Sequence, residues 1–395
     1  MDVLDGLEAI NWANQTHAYG SAADVPGLLR SLLSTSSKTR EKAYHDLYGN
    51  IFHQGTRYEA TVPAIPFLIR LIASPDTPER SNVLTLLMHL ALGYAEESLP
   101  AGVSLTATRR GIAEAVATIS KAERKECEEY GFGPQVVLDC YEAVGAGVPV
   151  FVNLLSEEDT DLKGTALYAL AWFPEQSEAI FPAIQQILSS STEEEILINA
   201  LLAIGLLNQH AEHPLPTEVI RPYLLHAALS VRVSAAIALA PNGLTQELIQ
   251  ILVGALTESE ALEDATELTL FNEGDLAGYC SMILAHYGRE YSAIVLPVLS
   301  EVLSKVAPYP SLGITRSILN LAIFDPALVV DGEPTRFLQD TPVGKLQPHT
   351  RAALQAIAEH GGWYMGKSQF GNYAELMRGY KVPDTQEALK QYLAA

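Results

Sequence analysis

The sequence predicts an all-α fold, a right-handed superhelical α-solenoid of stacked helix pairs. The first observation is a repeated apolar phrase with a small residue at one fixed slot: TALYALAWFP from Thr165, NALLAIGLLN from Asn199, SAAIALAPN from Ser234, YCSMILAHYG from Tyr279 and RSILNLAIFD from Arg316. The second is the spacing. Aligned, the phrases put Ala171, Gly205, Ala240, Ala285 and Ala322 in register at steps of 34, 35, 45 and 37 residues. Helical units of that period are too short to bury an apolar face alone and do so by stacking on their neighbours. The third is composition: 48% hydrophobic against 18% charged residues calls for a large packed interior, and a repeat array spends 395 residues on one body instead of several globular domains.

The elements follow in order. Asp24 and Pro26 precede an apolar run and start a first helix. Ser36 or Ser37 caps a second, from Lys38 to Gly49-Asn50. A third begins near Tyr58 and runs through Val62, Ile65, Leu68, Ile69 and Ile72 on one face, with Pro63 tolerated in its first turn and Pro66 implying a kink or a late start. The stretch after Pro78 supplies a further repeat-like helix in which Ala91 matches Ala171. Residues 95–134 then break the pattern with Pro100, several glycines and a highly charged helix from Arg109 to Glu129, and read as an insertion of the kind that maps to a solenoid rim. Helix pairs resume from Val136 and extend to about residue 330. Residues 331–395, rich in Gly and Tyr, read as a helical cap continuous with the solenoid, since a terminal unit must close its outer face against water.

Two features resemble HEAT repeats and the related repeats of phycobilisome-lyase proteins. One is a turn acid with a basic residue before the small-residue helix, as in Asp161-Leu162-Lys163; Ser230 to Leu239 (SVRVSAAIAL) also fits. The other is a proline in the second helix. The resemblance covers roughly residues 25–330 and implies an armadillo-like α-solenoid. Segments from Leu47 to Ile72, from Tyr141 and from Ala169 further resemble an uncharacterised bacterial group of HEAT-repeat proteins, a likeness that bears on architecture and not on chemistry.

Charge narrows the partners. Lys and Arg number 25 and Asp and Glu 47, a net −22, a field that repels phosphate backbones and anionic lipid. Neither nucleic acid nor a membrane is the expected partner. Cys127, Cys140 and Cys280 are too few and scattered for a disulfide framework. The first residues carry acids where a secretory signal carries bases, and no run reaches the roughly 18 apolar residues of a span. The expected location is cytoplasmic, and the Asn14-Gln15-Thr16 glycosylation match is read as accidental.

Four constellations are candidate sites. Gly361 to Ser368 (GGWYMGKS) satisfies the phosphate-loop pattern, but Trp363, Tyr364 and Met365 crowd it and a helix from Thr350 to His360 precedes it where a strand is required. Asp325, in LAIFD from Leu321, stands in a repeat helix instead of a magnesium-binding strand. His210, His213 and His226 lack the further ligands that zinc requires, and His89 and His286 read as core or groove residues, so neither cofactor nor metal is expected. The loop Phe52 to Ala60 (FHQGTRYEA) gathers His53, Gln54, Arg57, Tyr58 and Glu59 beside Gly55, either as a polar recognition site or acid–base pair, or as helix caps that satisfy one another. Acid clusters at Glu96-Glu97, Glu126 to Glu129, Glu157 to Asp159 and Glu193 to Glu195 fit helix starts, and the remainder could form a surface that attracts a basic protein. Among 17 tyrosines, and with Trp172 and Trp363, interface anchors are available.

No nucleophile elbow, zincin or dinucleotide motif occurs. The expected function is therefore non-enzymatic: an acidic protein-binding scaffold for a basic partner, held in a concave groove, with a bacterial inhibitor or immunity protein as one concrete form. The alternative is a small-ligand-binding protein or enzyme that uses the His53–Glu59 loop.

Overall fold

In the computed structural model the chain is described over residues 3–323, 329–330, 333–334 and 342–395, with the side chains of 263–266, 268 and 329–334 excepted. Two compact units result: Met1–Val219 with Leu268–Leu270, and Ile220–Glu267 with Phe271–Ala395. The expected boundary at 330/331 falls at a residue outside the described ones, and Asp325 also lies outside them.

The first unit opens with a two-stranded hairpin, β1 (Thr16–His17) and β2 (Gly20–Ser21), and continues through α1 (Val25–Ser31) and α2 (Ser37–Asn50). A second hairpin, β3 (Phe52–His53) and β4 (Thr56–Arg57), leads into α3 (Thr61–Ala73) and α4 (Arg80–Leu92). Then come α5 (Leu105–Thr118), α6 (Lys121–Tyr130), α7 (Pro134–Gly145), α8 (Val148–Leu154), α9 (Thr160–Leu170), α10 (Ser177–Ser190) and α11 (Glu194–His210). The second unit holds α12 (Leu229–Leu239), α13 (Gln246–Thr257), α14 (Leu276–Tyr287), α15 (Ser292–Leu303), α16 (Ser311–Ile323), α17 (Pro348–His360), α18 (Gly371–Gly379) and α19 (Gln386–Ala394). Short hairpins β5 (Val329–Val330) with β6 (Glu333–Pro334), and β7 (Tyr364–Met365) with β8 (Ser368–Gln369), interrupt it.

Helix starts obey local chemistry. Ser36, Asp159, Thr245, Asp275 and Thr385 each accept a hydrogen bond from a backbone N–H of the following turn, so donors that would otherwise be orphaned find partners. Asp24 differs: its carboxylate serves His17 and Asn50 and caps nothing, and Pro26 alone favours the start of α1. The expected single helix from Arg109 to Glu129 is two, because Ser120 and Glu123 form a capping box that restarts the chain as α6. The helix expected from Tyr58 starts at Thr61, whose hydroxyl accepts from Tyr58 N and donates to the Ile51 carbonyl, closing the hairpin below it.

Within the first unit α4, α9 and α11 pack in sequence as one layer, and α3, α8 and α10 form the layer behind them. The second unit repeats the scheme with α12, α14 and α16 backed by α13, α15 and α17. Each unit is thus an all-α, HEAT-like solenoid stack. The small-residue slot lies 11 residues beyond the first helical residue in α4 (91 − 80), α9 (171 − 160), α11 (205 − 194), α12 (240 − 229) and α16 (322 − 311), and 9 beyond it in α14 (285 − 276). Ala171, Gly205 and Ala240 are buried at that slot, whereas Ala285 and Ala322 are half-buried. The backing helices carry their own marker: Pro66, Pro182 and Pro297 each stand five residues beyond the start of α3, α10 and α15. A proline there removes one helical N–H and pushes the preceding turn aside, which bends the helix.

α7 and α8 are nearly one helix, bent by 44° at Gly145-Ala146-Gly147. A Cβ on Gly147 would lie 2.8 Å from Phe151 and 3.0 Å from Ile69, so glycine is needed at the bend. Among the described residues no single helix is long and apolar enough to cross a membrane.

Candidate functional site

The polar loop singled out in the sequence folds as the β3–β4 hairpin with a two-residue turn. Gln54 (φ 50) and Gly55 (φ 85) both adopt left-handed backbone, the pairing that a tight hairpin requires. The turn disperses its side chains. His53 is half-buried and its Nδ1 faces the Tyr19 hydroxyl at 3.4 Å, while Gln54 is exposed. Arg57 is 7% exposed, and Nη1 donates to its own turn at the Gly55 carbonyl, 2.6 Å away. Tyr58 is buried against Phe132 in an edge-on ring contact.

Glu59 is committed elsewhere. Its Oε1 accepts from the backbone N of Thr16 at 2.8 Å and from the Thr16 hydroxyl at 2.7 Å. Its own N–H donates to the Gly131 carbonyl at 2.6 Å, the next residue's N–H donates to the Thr16 carbonyl, and Tyr58 pairs with Phe132. Residues 58–60 therefore hold both the β1–β2 hairpin and the end of the 95–134 segment. His53, Arg57 and Glu59 face three different partners, so no acid–base pair is assembled from them.

Trp172 and Trp363, the candidate interface anchors, are 0% and 3% exposed. The Trp172 carbonyl accepts from the Tyr141 hydroxyl at 2.7 Å, and the Trp363 indole donates to the Ile357 carbonyl at 2.9 Å. Both are core residues, placed there by the apolar faces on either side of them. The exposed aromatics of the first unit are ones the sequence did not mark: Tyr19 (70%), Tyr94 (45%) and Tyr130 (52%). Tyr19 packs edge-on to His53, Tyr94 edge-on to Phe52, and Tyr130 stacks on Phe132, so all three border the same hairpin. A Tyr-Gly step at Tyr19-Gly20 was the available signal, since Gly20 takes φ 108 in the turn of β1–β2.

The phosphate-loop pattern at Gly361 to Ser368 is the β7–β8 hairpin between helices α17 and α18. Its first two glycines serve packing: a Cβ on Gly361 would strike the Tyr373 hydroxyl, and one on Gly362 would strike Ser311 and Pro308. Among the described residues no three His, Cys, Asp or Glu side chains gather as a metal site. Cys140 and Cys280 are buried free thiols, Cys140 pushed up to about 12 by burial.

Carboxylates do converge at one edge of the first unit. Asp159 and Asp161 stand at the start of α9 and Glu193 to Glu195 at the start of the adjacent α11. The Thr160 hydroxyl bridges to Glu193 at 3.1 Å. Burial, and then the charges of Asp161, Glu193 and Asp159, raise the Glu195 carboxyl above its ordinary value. Helix N-termini tolerate such charge. Glu157 in this neighbourhood forms an ion pair with Arg80 at 3.1 Å.

No protein-family model matches the chain, nor does any curated protein sequence. Solved structures that resemble it include two crystal structures of engineered proteins. One is 19% identical over 94% of this chain and 87% of its own, with a TM-score of 0.29, and the other 18% identical over 75% and 96%, with a TM-score of 0.26. A structure of Kap95p bound to RanGDP is 11% identical over 94% of this chain and 52% of its own, with a TM-score of 0.36. With TM-scores this low, the assignment to HEAT-like α-solenoids rests on the helices and their register and not on these likenesses.

Proposed function

We propose that this chain is a non-enzymatic protein-binding scaffold whose partner presents a basic patch to the acidic edge at the starts of α9 and α11. The observation that supports it is the crowding of Asp159, Asp161, Glu193 and Glu195, which raises the proton affinity of Glu195 and places exposed negative charge at that edge. Cations brought by a partner relieve that repulsion, and the long-range field selects partners by sign. The net charge disfavours nucleic acid and anionic lipid as partners. Stacked helical repeats suit the role because they offer extended surfaces. In concrete form this is a cytoplasmic inhibitor or immunity protein of a bacterium, related to the phycobilisome-lyase type of HEAT repeat, that covers a basic toxin such as a nuclease.

Capture of partners by the full chain at low salt, followed by titration of the purified pair with salt, tests the reading. Affinity should fall as ionic strength rises, and the double reversal Asp161→Lys with Glu193→Lys should weaken it about tenfold or more while leaving the unfolding midpoint within a few degrees. Binding indifferent to both would remove the proposal.

A further inference from the structure

The ends of four helices meet around a cavity of about 220 Å³ that lies wholly within the second unit. The ends of α13 and α15 and the starts of α14 and α16 form it, and its walls are aliphatic: Leu256, Met282, Val302, Val306 and Ile314. Neither lysine nor arginine lines it. Its polar side chains are Ser259, Asn272, Asp275 and Ser281.

Ser281 is spent, since its hydroxyl donates to the Gly278 carbonyl at 2.7 Å and meets the Ser317 hydroxyl at 3.1 Å. Asn272 Nδ2 donates to the Asp275 carbonyl at 2.8 Å, which leaves Oδ1 to accept. Asp275 Oδ1 accepts the Gly278 N–H at 2.7 Å, while Oδ2 has no donor among the described residues. Lys305, on the turn after α15, is paired with Glu301 at 2.8 Å, and no cation meets Asp275 among the described residues. The backbone here is costly. Asn272 (φ 50, ψ 42) and Glu273 (φ 53, ψ 30) are successive left-handed residues and neither is glycine, a conformation that persists only where the surroundings fix it. Gly278 in turn makes room for the carboxylate, because a Cβ there would strike Asp275 Oδ2.

We propose that this cavity binds a small primary amine, its ammonium held by Asp275 Oδ2 and Asn272 Oδ1 and its apolar body laid against the aliphatic walls. An ammonium carries three donors and no acceptor, which complements these two uncommitted oxygens, and the exposed Ser259 hydroxyl offers a third. Hydrogen bonds from a cation to a carboxylate are the strong ones, and one such pair in an otherwise apolar pocket fixes the ligand's orientation. Size defines the body. A dry cavity of about 150 Å³ accepts benzene, so about 220 Å³ takes a ring with a two-carbon arm. That exceeds the four methylenes of a lysine side chain, and a free amine is the better occupant. The site is distinct from the acidic edge of α9 and α11 and stands whether or not that edge binds a basic partner.

The test uses the full chain with carbon-13 methyl-labelled methionine, the Met282 resonance being assigned by its loss in Met282→Leu. At constant ionic strength 2-phenylethylamine should shift that resonance and raise the unfolding midpoint. The neutral isostere 2-phenylethanol and the N-trimethylated amine, which keeps the charge but has no N–H, should each bind about tenfold more weakly or worse. Asp275→Asn keeps an acceptor for the start of α14; it should weaken the amine about tenfold or more and leave 2-phenylethanol unchanged. A Met282 methyl unmoved by the amine overturns the proposal, a result that needs no variant at Asp275. Equal binding of amine and alcohol does so too, as does unchanged amine affinity in Asp275→Asn. Nα-acetyl-lysinamide that binds as tightly as 2-phenylethylamine would overturn the free amine as occupant.

Discussion

Glu59 Oε1 receives both the backbone N–H and the hydroxyl of Thr16, at 2.8 and 2.7 Å, across 43 residues of sequence. One carboxylate oxygen thereby anchors the N-terminal hairpin to the base of the second hairpin, and the Glu59 backbone binds the Gly131 carbonyl on its other side.

Loss of this carboxylate should cost stability and not chemistry. Glu59→Ala strands two donors of Thr16, so urea denaturation should show a loss of about 1–3 kcal/mol. Thr16→Val, which keeps the shape but not the hydroxyl, should cost less, and the double variant should be non-additive. Full additivity would mean that the two side chains do not interact.

Gly93→Ala should destabilise by about 1–3 kcal/mol, since a left-handed backbone with a Cβ is strained and the new atom meets Arg57 Nη1. Combination with Arg57→Met removes the collision but not the strain, so the double variant should recover part of the loss in thermal unfolding.

Trp172 and Tyr19 should part company under truncation. Trp172→Ala empties a fully enclosed site and should cost about 3–5 kcal/mol. Tyr19→Ala, at a side chain 70% exposed, should change stability by about 0.5 kcal/mol or less. Denaturation midpoints compare the two directly, and a large loss at Tyr19 would contradict the exposure described.

Glu195 gives a pH signature. Its folded-state value is raised above the ordinary 4.5 by burial and by Asp161, Glu193 and Asp159, so the native state holds the proton more tightly than the unfolded chain. Its contribution is therefore fully present below about pH 4.5 and lost as pH rises through the folded value. Glu195→Gln should exceed the wild type in stability at pH 7, with the advantage vanishing at pH 4, as read from unfolding midpoints across that range. A constant difference across the range would refute the crowding.

The helices were legible because their signals are local and repeated. A small residue 11 positions beyond the first residue of α4, α9, α11, α12 and α16 recurs often enough to show through variable surroundings, and prolines at a common offset in α3, α10 and α15 mark the alternate helices. The hairpins were not legible, since two-residue strands such as β3 and β4 are too short to show alternation. The depth of Trp172, Trp363 and Arg57 was not legible either, since burial depends on which elements pack around a side chain and not on its own chemistry. The division of partners among His53, Arg57 and Glu59 likewise comes from Thr16, Gly55 and Tyr19, contacts that no local pattern encodes.

The double grip of residues 58–60 on Thr16 and on Gly131 also determines how the chain would behave once cut. Cleavage at the Ile119-Ser120 joint between α5 and α6 would sever a covalent path but no tether: Arg109 on α5 still reaches Glu142 on α7, and the α6 side still enters the Tyr58–Phe132 bridge. The nicked molecule should travel as one particle through a sizing column and separate only in denaturant, which makes residues 95–134 a brace of the first unit and not a detachable appendage.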